Sequence, residues 1–593
     1  MACRIEQLIR TALAVVLSGL MAACAEAASE PSVDERLRTA FARGDGFGAE
    51  LVLREQLADG TPRAELAAAM GEAELMQGEL AEARRWLAPG EFSPDTRGHG
   101  FRQLGRLEMR DGNLPAAGAA FDQAYRAIPD DPDLWVDIGR LRFRGGEQAQ
   151  AVQAARKAVA LGPRNPAALR FRGQLVRDAH GVRAALPWFE AALESHPDDL
   201  GLLLDYAATL GEAGRPTDML RVVRKVARLD PANREVFFLQ AVIAARAGET
   251  VLARSLLTRS GNVERGLPAA LLLSGVIDLR SGNYASASQT FDSLLSDQPD
   301  NARVARLLAR SLSLAGSHRE LVARFGDEGA GSRCSPYIDQ LVARSLEKLG
   351  ERGEAAAYLD RAGRSQSAAL AALRERTEVE VADARGGERG DNALALVRGF
   401  VGRGQADRAV SEARRFLARN PGSADAMGLL GDACLAAQRV NCALETYREA
   451  ADIRRPWPLT MRMLAALEAN GDGHAMTDLL ERQLLGEPAN ARVAERLAQV
   501  RAAKGQWEKA IPLIDHALLH GSSRDPASLV LRARAALALG DAKSAREAAK
   551  RAYWLMPQDG AAIALLAETS DDAARGALSA KARRLREAAP ETR

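Results

Sequence analysis

Small residues recur every 34 residues along most of this chain, and that spacing limits the folds the chain can adopt. Glycine or alanine occupies every step of one row, while a second row, mainly alanine, and a third of proline keep the same period. The first row is Gly71, Gly105, Gly139, Gly173, Ala207, Ala241, Gly275, Ala309 and Ala343; the second includes Ala49, Ala83, Ala117, Ala151, Ala185, Ala253, Ala287 and Ala355; the third is Pro129, Pro163, Pro197, Pro231 and Pro299. A fixed period of this length is typical of stacked supersecondary units, each of which packs only on its neighbours.

One such unit, beginning at Pro132, predicts a pair of antiparallel helices. Apolar residues at helical spacing predict a first helix, which the glycines at positions 145 and 146 end. A second apolar helical face then begins at Ala151, and the short connection makes the two helices antiparallel neighbours. Small side chains at Gly139 and Ala151 allow the two backbones to approach closely, so a larger residue at either position should cost about 1–3 kcal/mol.

The pattern resembles the tetratricopeptide repeat, whose signature is W-x2-L-G-x2-Y, then A-x3-F, then P. The matching residues are Phe101, Leu104, Gly105, Ala117, Phe121 and Pro129 in one unit, and Leu271, Gly275, Ala287, Phe291 and Pro299 in another. The resemblance implies an all-α fold, an α-solenoid of about fifteen stacked antiparallel helix pairs. We expect repeats to start near Glu30, Ala64, Gly98, Pro132, Pro166, Leu200, Arg234, Pro268, Ala302 and Pro336, and again near Gly390, Ala424, Pro458, Ala491 and Pro526.

The period divides the chain into two segments of repeats. Residues 30–369 form the first segment of ten 34-residue repeats, and residues 390–559 form the second segment of five repeats. Residues 370–389 are off the period, and their charged composition suits an extra helix, a degenerate half-repeat or a hinge. Residues 560–593 predict a capping helix and a charged tail, which a solenoid end needs for solubility.

The N-terminus predicts export from the cytoplasm. Residues 1–23 combine a basic start with an apolar run too short to span a membrane comfortably, as in a secretory signal peptide. Residues 20–24 resemble a bacterial lipobox, which implies lipidation of Cys24, a short tether at residues 24–29 and, since Ala25 is not acidic, an outer-membrane anchor facing the periplasm. Ordinary cleavage after Ala27, leaving a soluble periplasmic protein, is the alternative.

Because disulfides form and persist in oxidising compartments, export would allow two of the cysteines to form one. Cys434 and Cys442 lie on either side of the turn in one predicted helical hairpin. They are candidates for a disulfide, and the alternative is a pair of small core cysteines.

Signatures of catalysis and of cofactor binding are missing from the sequence. There is no H-E-x-x-H motif and no phosphate-binding loop, and the glycine-rich residues 44–48 fall at a repeat turn. His516 and His520 share a helical face, but no third metal ligand accompanies them. A net charge of +2 gives no argument for nucleic-acid binding. We therefore expect no enzyme, cofactor, metal or nucleic-acid partner, and contact with a membrane only through the lipid; the oligomeric state stays open.

In proteins of the resembled family the first helices line a groove that holds peptides or partner helices. Counting inward positions from each small residue predicts a groove that changes from basic to apolar along its axis. The basic part is Arg102, Arg106, Arg110, Arg140, Phe143, Arg144, Arg170 and Arg177, and the apolar part is Leu204, Phe238, Val242, Leu272, Val276 and Leu279. Because guanidinium groups bind carboxylates bidentately, an acidic-hydrophobic peptide tail suits this groove, as does an anionic glycan at its basic end. Alternatively, the arginines form a solvated face and the apolar residues belong partly to inter-repeat packing.

Exported repeat lipoproteins of this kind serve polysaccharide export, pilus assembly and secretion. The resemblance therefore implies a non-enzymatic scaffold or adaptor that binds protein partners in the bacterial cell envelope. Direct binding of an anionic glycan or of peptidoglycan is the second hypothesis. It needs aromatic platforms in the groove, whereas the six tryptophans lie mainly at repeat-packing positions.

Overall fold

The computed structural model describes residues 32–299, 301–326, 335–363 and 390–587. This described part is 80% helical and contains no strand, and its 32 helices follow one another in consecutive pairs. The predicted all-α solenoid is therefore confirmed. The predicted signal peptide at residues 1–23, the predicted tether at residues 24–29 with Cys24, and the off-period residues 370–389 lie outside the described residues.

The described residues of the first segment form twenty helices, two for each predicted repeat. They are α1 (Val33–Arg43), α2 (Gly46–Ala58), α3 (Arg63–Gln77), α4 (Leu80–Leu87), α5 (Arg97–Arg110), α6 (Leu114–Ala127), α7 (Pro132–Arg144), α8 (Gln148–Leu161), α9 (Pro166–His180), α10 (Val182–Ser195), α11 (Leu200–Glu212), α12 (Pro216–Leu229), α13 (Arg234–Ala247), α14 (Thr250–Ser260), α15 (Pro268–Arg280), α16 (Tyr284–Asp297), α17 (Ala302–Ala315), α18 (His318–Phe325), α19 (Pro336–Leu349) and α20 (Arg352–Gly363).

The second segment and the C-terminus continue the same alternation. They contain α21 (Gly390–Gly402), α22 (Ala406–Arg419), α23 (Ala424–Ala436), α24 (Val440–Ile453), α25 (Trp457–Ala469), α26 (Gly473–Gly486), α27 (Ala491–Ala503), α28 (Trp507–Ala517) with a π-helical turn (Leu518–Ser522), α29 (Pro526–Ala538), α30 (Ala542–Leu555), α31 (Gly560–Glu568) and α32 (Asp572–Glu587). Every first helix begins within three residues of the repeat start predicted from the sequence.

A capping residue explains where many of the first helices begin. Asn165 precedes Pro166, and its side-chain oxygen accepts a hydrogen bond from the backbone N–H of Ala168 at 2.8 Å. That bond satisfies one of the free donors of the first turn, and proline at the first helical position has no N–H to lose. Asp131, Asp199, Asn233 and Asn301 cap the other helices of this series. The cap therefore recurs with the repeat.

The glycines of the first row admit a large side chain from the second helix of the same repeat. A Cβ atom added to Gly105 would lie 2.4 Å from Cε1 of Phe121, and one added to Gly431 would lie 2.3 Å from Cε1 of Tyr447. Both rings are almost completely buried. The aromatic ring can lie directly against the first helix only because no side chain is present there.

The described residues form two compact units. The first comprises the described residues up to Gly145 together with Gln153–Leu161, and the second comprises Gly146–Val152 together with the described residues from Gly162 onward. Within each unit the core is a succession of clusters that join neighbouring repeats. One cluster in the second unit, for example, runs from Ala287 of α16 to Ala355 of α20. This arrangement is expected of a solenoid, in which each repeat buries its apolar face on the next.

The C-terminus differs from the prediction of one capping helix and a charged tail. The charged residues after α31 form a helix of their own, α32, up to Glu587. Asp571 caps the N-terminus of α32, because its Oδ1 atom accepts a hydrogen bond from the N–H of Ala574 at 3.0 Å. Leu578 packs against the cluster built by α29 to α31. Charged residues with good helix propensity thus form the outer helix of a closing pair.

None of the described helices is both long enough and apolar enough to cross a membrane.

Candidate functional site

Two arginines of the predicted basic groove pair with an aspartate of the next repeat. Nε of Arg102 on α5 donates to Oδ2 of Asp137 on α7 at 2.8 Å, and Nε of Arg170 on α9 donates to Oδ2 of Asp205 on α11 at 2.6 Å. Burial opposes the charge of Arg102, but Asp137 and Asp133 raise the pKa of its guanidinium above the usual value. These arginines therefore join repeats to one another.

Other arginines of the predicted groove also lie near carboxylates, of the preceding repeat, the same helix or the next repeat. Arg106 lies 3.7 Å from Oε1 of Glu72, Arg140 lies 3.7 Å from Oδ1 of Asp137, and Arg177 lies 3.1 Å from Oε1 of Glu212. The predicted basic groove thus carries internal counter-ions that the sequence analysis did not assign to it.

Arg110 and Arg144 bind main-chain carbonyl groups at the end of the preceding first helix. Nη1 of Arg144 donates to the carbonyl oxygen of Met109 at 2.7 Å, and Arg110 makes the equivalent bond to Leu75. The contact recurs between Arg246 and Gly211 and between Arg280 and Ala245. The last carbonyls of a helix lack partners within the helix and form the negative end of its dipole, so a guanidinium stabilises them.

The predicted apolar positions are half-buried and contribute to packing between repeats. Leu204 and Phe238 pack against the cluster of α10 to α13, and Leu272, Val276 and Leu279 pack against the cluster of α16 to α20. Val242 and Phe143 are half-buried as well. These side chains keep part of their surface exposed.

The sequence analysis did not single out a second group of arginines, which we call the arginine cluster. It consists of Arg303, Arg306 and Arg310 on α17, Arg492 at the start of α27, and Arg524 before α29. Within the described ranges, no carboxylate forms an ion pair with any of the five. The spacing on α17 puts its three arginines on one face of the helix, but the sequence alone gave no sign that α27 and α29 would bring two more.

Electrostatic interactions link members of the arginine cluster. Burial and the positive charge of Arg492 lower the pKa of the Arg306 guanidinium. Tyr337 on α19 lies among them: burial raises its pKa, while Arg310 and Arg524 act in the opposite direction.

Two carboxyl groups lie beside the arginine cluster without neutralising it. Burial and the neighbouring Asp525 raise the pKa of Glu495, which favours its neutral form. Asp525 caps α29, and its Oδ1 atom accepts a hydrogen bond from the N–H of Ala527 at 3.1 Å. Positive charges therefore outnumber negative ones at this place.

Contacts inside the second unit hold the two segments together. The N–H of Ala149 donates to the carbonyl of Gly422 at 3.0 Å, and the N–H of Arg455 donates to the carbonyl of Asp178 at 3.0 Å. The side-chain amide of Gln340, on the same helix as Tyr337, donates to the carbonyl of Leu555. These bonds position the second segment against repeats four, five and ten.

The hairpin of α23 and α24 contains the two candidate cysteines. The structure joins Cys434 and Cys442 in a disulfide, with Cα atoms 5.9 Å apart. In the same hairpin the hydroxyl of Tyr447 donates to Oδ1 of Asp432 at 2.6 Å, and Nε of Arg462 lies 3.3 Å from that oxygen. Burial raises the pKa of Asp432 to about 6.

In the part of the chain that the structure describes, no group of three or more His, Cys, Asp or Glu residues could hold a metal ion. The rings of His516 and His520 approach each other, with centroids 4.3 Å apart.

Comparison with known families agrees with this architecture. Two sequence models of the tetratricopeptide repeat match the chain, one at residues 102–166, 136–200, 394–458 and 495–563, and the other at residues 244–311. The chain belongs to the tetratricopeptide repeat family.

Curated relatives of this tetratricopeptide repeat protein include two called cellulose synthase operon protein C. The one from Xanthomonas axonopodis pv. citri is 25% identical over 394 residues, which cover 63% of this chain and 25% of the relative. The one from Pseudomonas fluorescens is 23% identical over 423 residues, which cover 66% of this chain and 31% of the relative. The chain thus spans about a quarter to a third of the length of these relatives.

Solved structures similar to this chain include a tetratricopeptide repeat protein from Parabacteroides merdae, with 17% identity, a TM-score of 0.29, and coverage of 40% of this chain and 94% of that chain. Another is the Cut9–Hcn1 complex, with 14% identity, a TM-score of 0.30, and coverage of 84% of this chain and 95% of that chain.

Tetratricopeptide repeat proteins generally bind protein partners, and their fold is typically that of a non-enzymatic scaffold. In this tetratricopeptide repeat protein the first helices carry two kinds of partly exposed groups: apolar side chains, and guanidinium groups that form no ion pair within the described ranges. Such a surface can bury apolar side chains of a partner and pair with its carboxylates.

Proposed function

We propose that this tetratricopeptide repeat protein is a scaffold of a bacterial cell envelope, which binds partner proteins for the synthesis or export of a polysaccharide. The similarity to cellulose synthase operon protein C supports the link with polysaccharide synthesis, because it extends over 63% and 66% of this chain. The repeat architecture itself supports the role of scaffold.

The observation that carries this proposal is the character of the first-helix face in the second unit. From α11 to α15 this face presents half-buried apolar side chains, including Leu204, Phe238 and Leu272. On α17 it continues with Arg306 and Arg310, which form no ion pair with any residue that the structure describes. Apolar and charged groups on one face suit a protein segment, whereas a neutral polysaccharide would need aromatic platforms and hydrogen-bonding side chains.

We place the protein in the periplasm, anchored to the outer membrane through Cys24. The lipobox-like residues 20–24 and the absence of an acidic residue at position 25 support this location. Labelling of cells with a palmitate analogue should tag the wild-type protein and not the Cys24→Ala variant. A soluble periplasmic wild type without label would establish ordinary cleavage after Ala27.

Photo-crosslinking in cells tests the scaffold function. A benzophenone amino acid at Phe238, on first helix α13, replaces one aromatic side chain with another. The matched control position is Val251 on second helix α14, which is 84% exposed. We expect position 238 to capture an envelope protein that position 251 does not. Identical adducts at both positions, or capture of polysaccharide without any protein, would contradict the proposal.

A further inference from the structure

We propose that the C-terminal end of the solenoid lies on an anionic lipid surface, through exposed apolar side chains that stand among lysine and arginine. We call this surface the C-terminal patch, and it consists of Leu519, Trp554, Lys550, Arg551, Arg583 and Arg584. The inference goes beyond the proposed function, and it adds a membrane contact to the one expected through the N-terminal lipid.

The first argument is a row of exposed apolar side chains. Leu485, Leu519 and Trp554 follow one another at separations of 34 and 35 residues, so they occupy nearly the same place in three consecutive repeats. Each lies at the end of a second helix or just beyond it, and their exposed fractions are 63%, 80% and 76%. Among the other large apolar residues of the described ranges, only Phe47 and Val251 are similarly exposed. Exposed apolar groups that recur in this way indicate a surface that another molecule covers.

The last two members of this row are held by one core. Leu518 and Leu555, the chain neighbours of Leu519 and Trp554, both pack against the cluster built by α29 to α31. Since each inner neighbour is fixed in that cluster, Leu519 and Trp554 project to solvent from the same packed body.

Helix α32 packs on the same body. Leu578 of α32 and Tyr553 of α30 pack against this cluster as well. Nζ of Lys581 donates to the hydroxyl of Tyr553 at 3.0 Å, and it lies 4.6 Å from the centre of the ring. The C-terminal half of α32 is therefore joined to the end of α30, next to Trp554.

The second argument is the charge of these two helix halves. Residues 548–555 and 578–585 contain no Asp, Glu, Asn or Gln, and their five cations are Lys550, Arg551, Lys581, Arg583 and Arg584. All except the half-buried Lys581 are exposed. On α30 the carboxylate nearest along the chain is Glu547, about one turn before Arg551. An anionic membrane surface attracts each nearby lysine or arginine by about 1 kcal/mol, so the patch and such a surface are complementary in charge.

The combination favours a lipid surface over a protein or a glycan. Tryptophan and leucine insert between lipid head groups, while long cationic side chains keep their charges at the head-group level. The core of a protein interface is depleted of charged residues, whereas Trp554 shares its helix face with Lys550 and Arg551. A glycan site uses carboxylate and amide side chains to bind hydroxyl groups, and the two helix halves contain neither.

Photo-crosslinking to lipid tests the contact in the full chain. A benzophenone amino acid replaces Trp554, and the matched control position is the similarly exposed Val251 on second helix α14. Mass spectrometry then counts lipid adducts on vesicles of equal parts phosphatidylcholine and phosphatidylglycerol, and on vesicles of phosphatidylcholine alone. We expect adducts at position 554 and not at position 251, with about tenfold more on the anionic vesicles. Because both proteins have the same N-terminus, the difference between them reports the local contact.

Two charge reversals test the role of the cations. In the chain with benzophenone at position 554, Arg551→Glu/Arg584→Glu changes two exposed cations of the C-terminal patch. The control Arg224→Glu/Arg228→Glu makes the same charge change at exposed positions of second helix α12. Below saturation with lipid, we expect the first variant to lower the adduct yield about tenfold or more and the control to leave it nearly unchanged, because only the first repels the anionic surface at the patch.

Several results would overturn the inference. These are no lipid adduct at position 554, equal yields at positions 554 and 251, equal yields on the two kinds of vesicle, and equal losses in the two charge variants. Preferential adducts of position 554 with added oligogalacturonate, or with a protein, would assign the patch to another partner and overturn it too. The proposed function is judged separately, because protein capture at position 238 uses a first helix and does not require the patch.

Discussion

Gly181 and Gly486 touch through their backbones, although 305 positions separate them in the sequence. A Cβ atom on Gly181 would lie 2.7 Å from the Cα atom of Gly486, and one on Gly486 would lie 2.6 Å from the carbonyl oxygen of His180. Gly181 precedes α10 and Gly486 ends α26, so the two glycines mark a place where the second segment lies directly on the first. At this point the second segment therefore packs on the first through main-chain atoms.

Replacing Gly181 with alanine should loosen this contact. Gly181 has a φ of 89° and a ψ of 171°, a backbone region that is essentially restricted to glycine, so alanine is strained there by about 1–3 kcal/mol even without a clash. The collision with Gly486 adds about 1–3 kcal/mol. Chemical unfolding measures the total, and hydrogen exchange of the Arg455 amide, which donates to Asp178, reports the contact itself.

The control for this prediction is Gly214→Ala. Gly214 has a similar φ of 75°, but a Cβ atom there would have nothing within 4 Å. The Gly214→Ala variant should lose only the stability that backbone strain costs. Hydrogen exchange of the Arg455 amide should stay at the wild-type rate. If both variants exchange Arg455 at the wild-type rate, the contact between the segments does not exist in solution.

Two glycines of the third repeat should respond in opposite ways to alanine. At Gly105 the new Cβ atom would collide with the buried ring of Phe121, at 2.4 Å from Cε1, so we expect a loss of about 1–3 kcal/mol. At Gly118 on α6 it would meet Leu141 at 3.8 Å, an ordinary contact. Alanine there should stabilise the helix by roughly 0.5–1 kcal/mol. Thermal unfolding of the two variants compares them, and a gain in stability for Gly105→Ala would contradict the packing described here.

The sequence predicted the repeats because their physical causes are local. Gly105, Phe121 and the caps at Asp131 and Asn165 act within one repeat or between neighbours, so each leaves its mark at a fixed spacing of 34 residues. The spacing therefore predicted both the helix pairs and the places where the first helices begin.

The candidate site depended on contacts that no local pattern encodes. Arg102 and Arg144 look alike in the sequence as inward arginines, yet one binds Asp137 of the next repeat and the other a carbonyl of the preceding one. The arginine cluster depends on how the second segment returns to repeats nine and ten. The path of stacked repeats results from many small rotations, so Arg306 and Arg492 could not be brought together by counting positions.

Asp432 should make stability fall as the pH rises from about 4 to about 6. Its pKa is raised from 3.8 to about 6 in the folded chain, so the folded state keeps a proton that the unfolded state has already lost. Stability therefore decreases across this interval and levels off above it, by roughly 3 kcal/mol for a shift of this size. Urea unfolding at several pH values should show that Asp432→Asn removes this decrease.

Asp541 provides a control of opposite sign. Its carboxylate accepts a hydrogen bond from the N–H of Ser544 at 3.0 Å, and this bond, with that of the Ser544 side chain, lowers its pKa. The stability that the Asp541 carboxylate contributes to the folded chain is present above its usual pKa and is lost as the pH falls. Asp541→Asn should therefore remove a rise of stability with pH, and an unchanged profile for Asp432→Asn would show that Asp432 is not buried as described.

The disulfide between Cys434 and Cys442 should stabilise the hairpin of α23 and α24. It closes a short loop, with a sequence separation of 8, and loop-closure entropy gives about 2–3 kcal/mol for a loop of this length. Unfolding with and without reductant should differ by this amount in protein purified from the periplasm. The variant Cys434→Ala/Cys442→Ala should not respond to the reductant, and free thiols in the denatured wild type would show that the bond does not form.

Gln438 lies in the turn that this disulfide spans and has a φ of 57°. Among the described residues it is the one non-glycine residue with a positive φ. At the same place in other repeats the chain has glycine, such as Gly404 with a φ of 70° and Gly471 with a φ of 70°. A side chain in this conformation costs about 1–2 kcal/mol, so Gln438→Gly should stabilise the protein by up to that amount. The gain is reduced because glycine makes the unfolded chain more flexible.

Chemical unfolding of Gln438→Gly against the wild type measures this difference in stability. Gln438→Ala serves as the control, because it removes the side-chain amide and keeps the backbone strain. Equal stability of all three proteins would mean that the turn relaxes to a negative φ in solution.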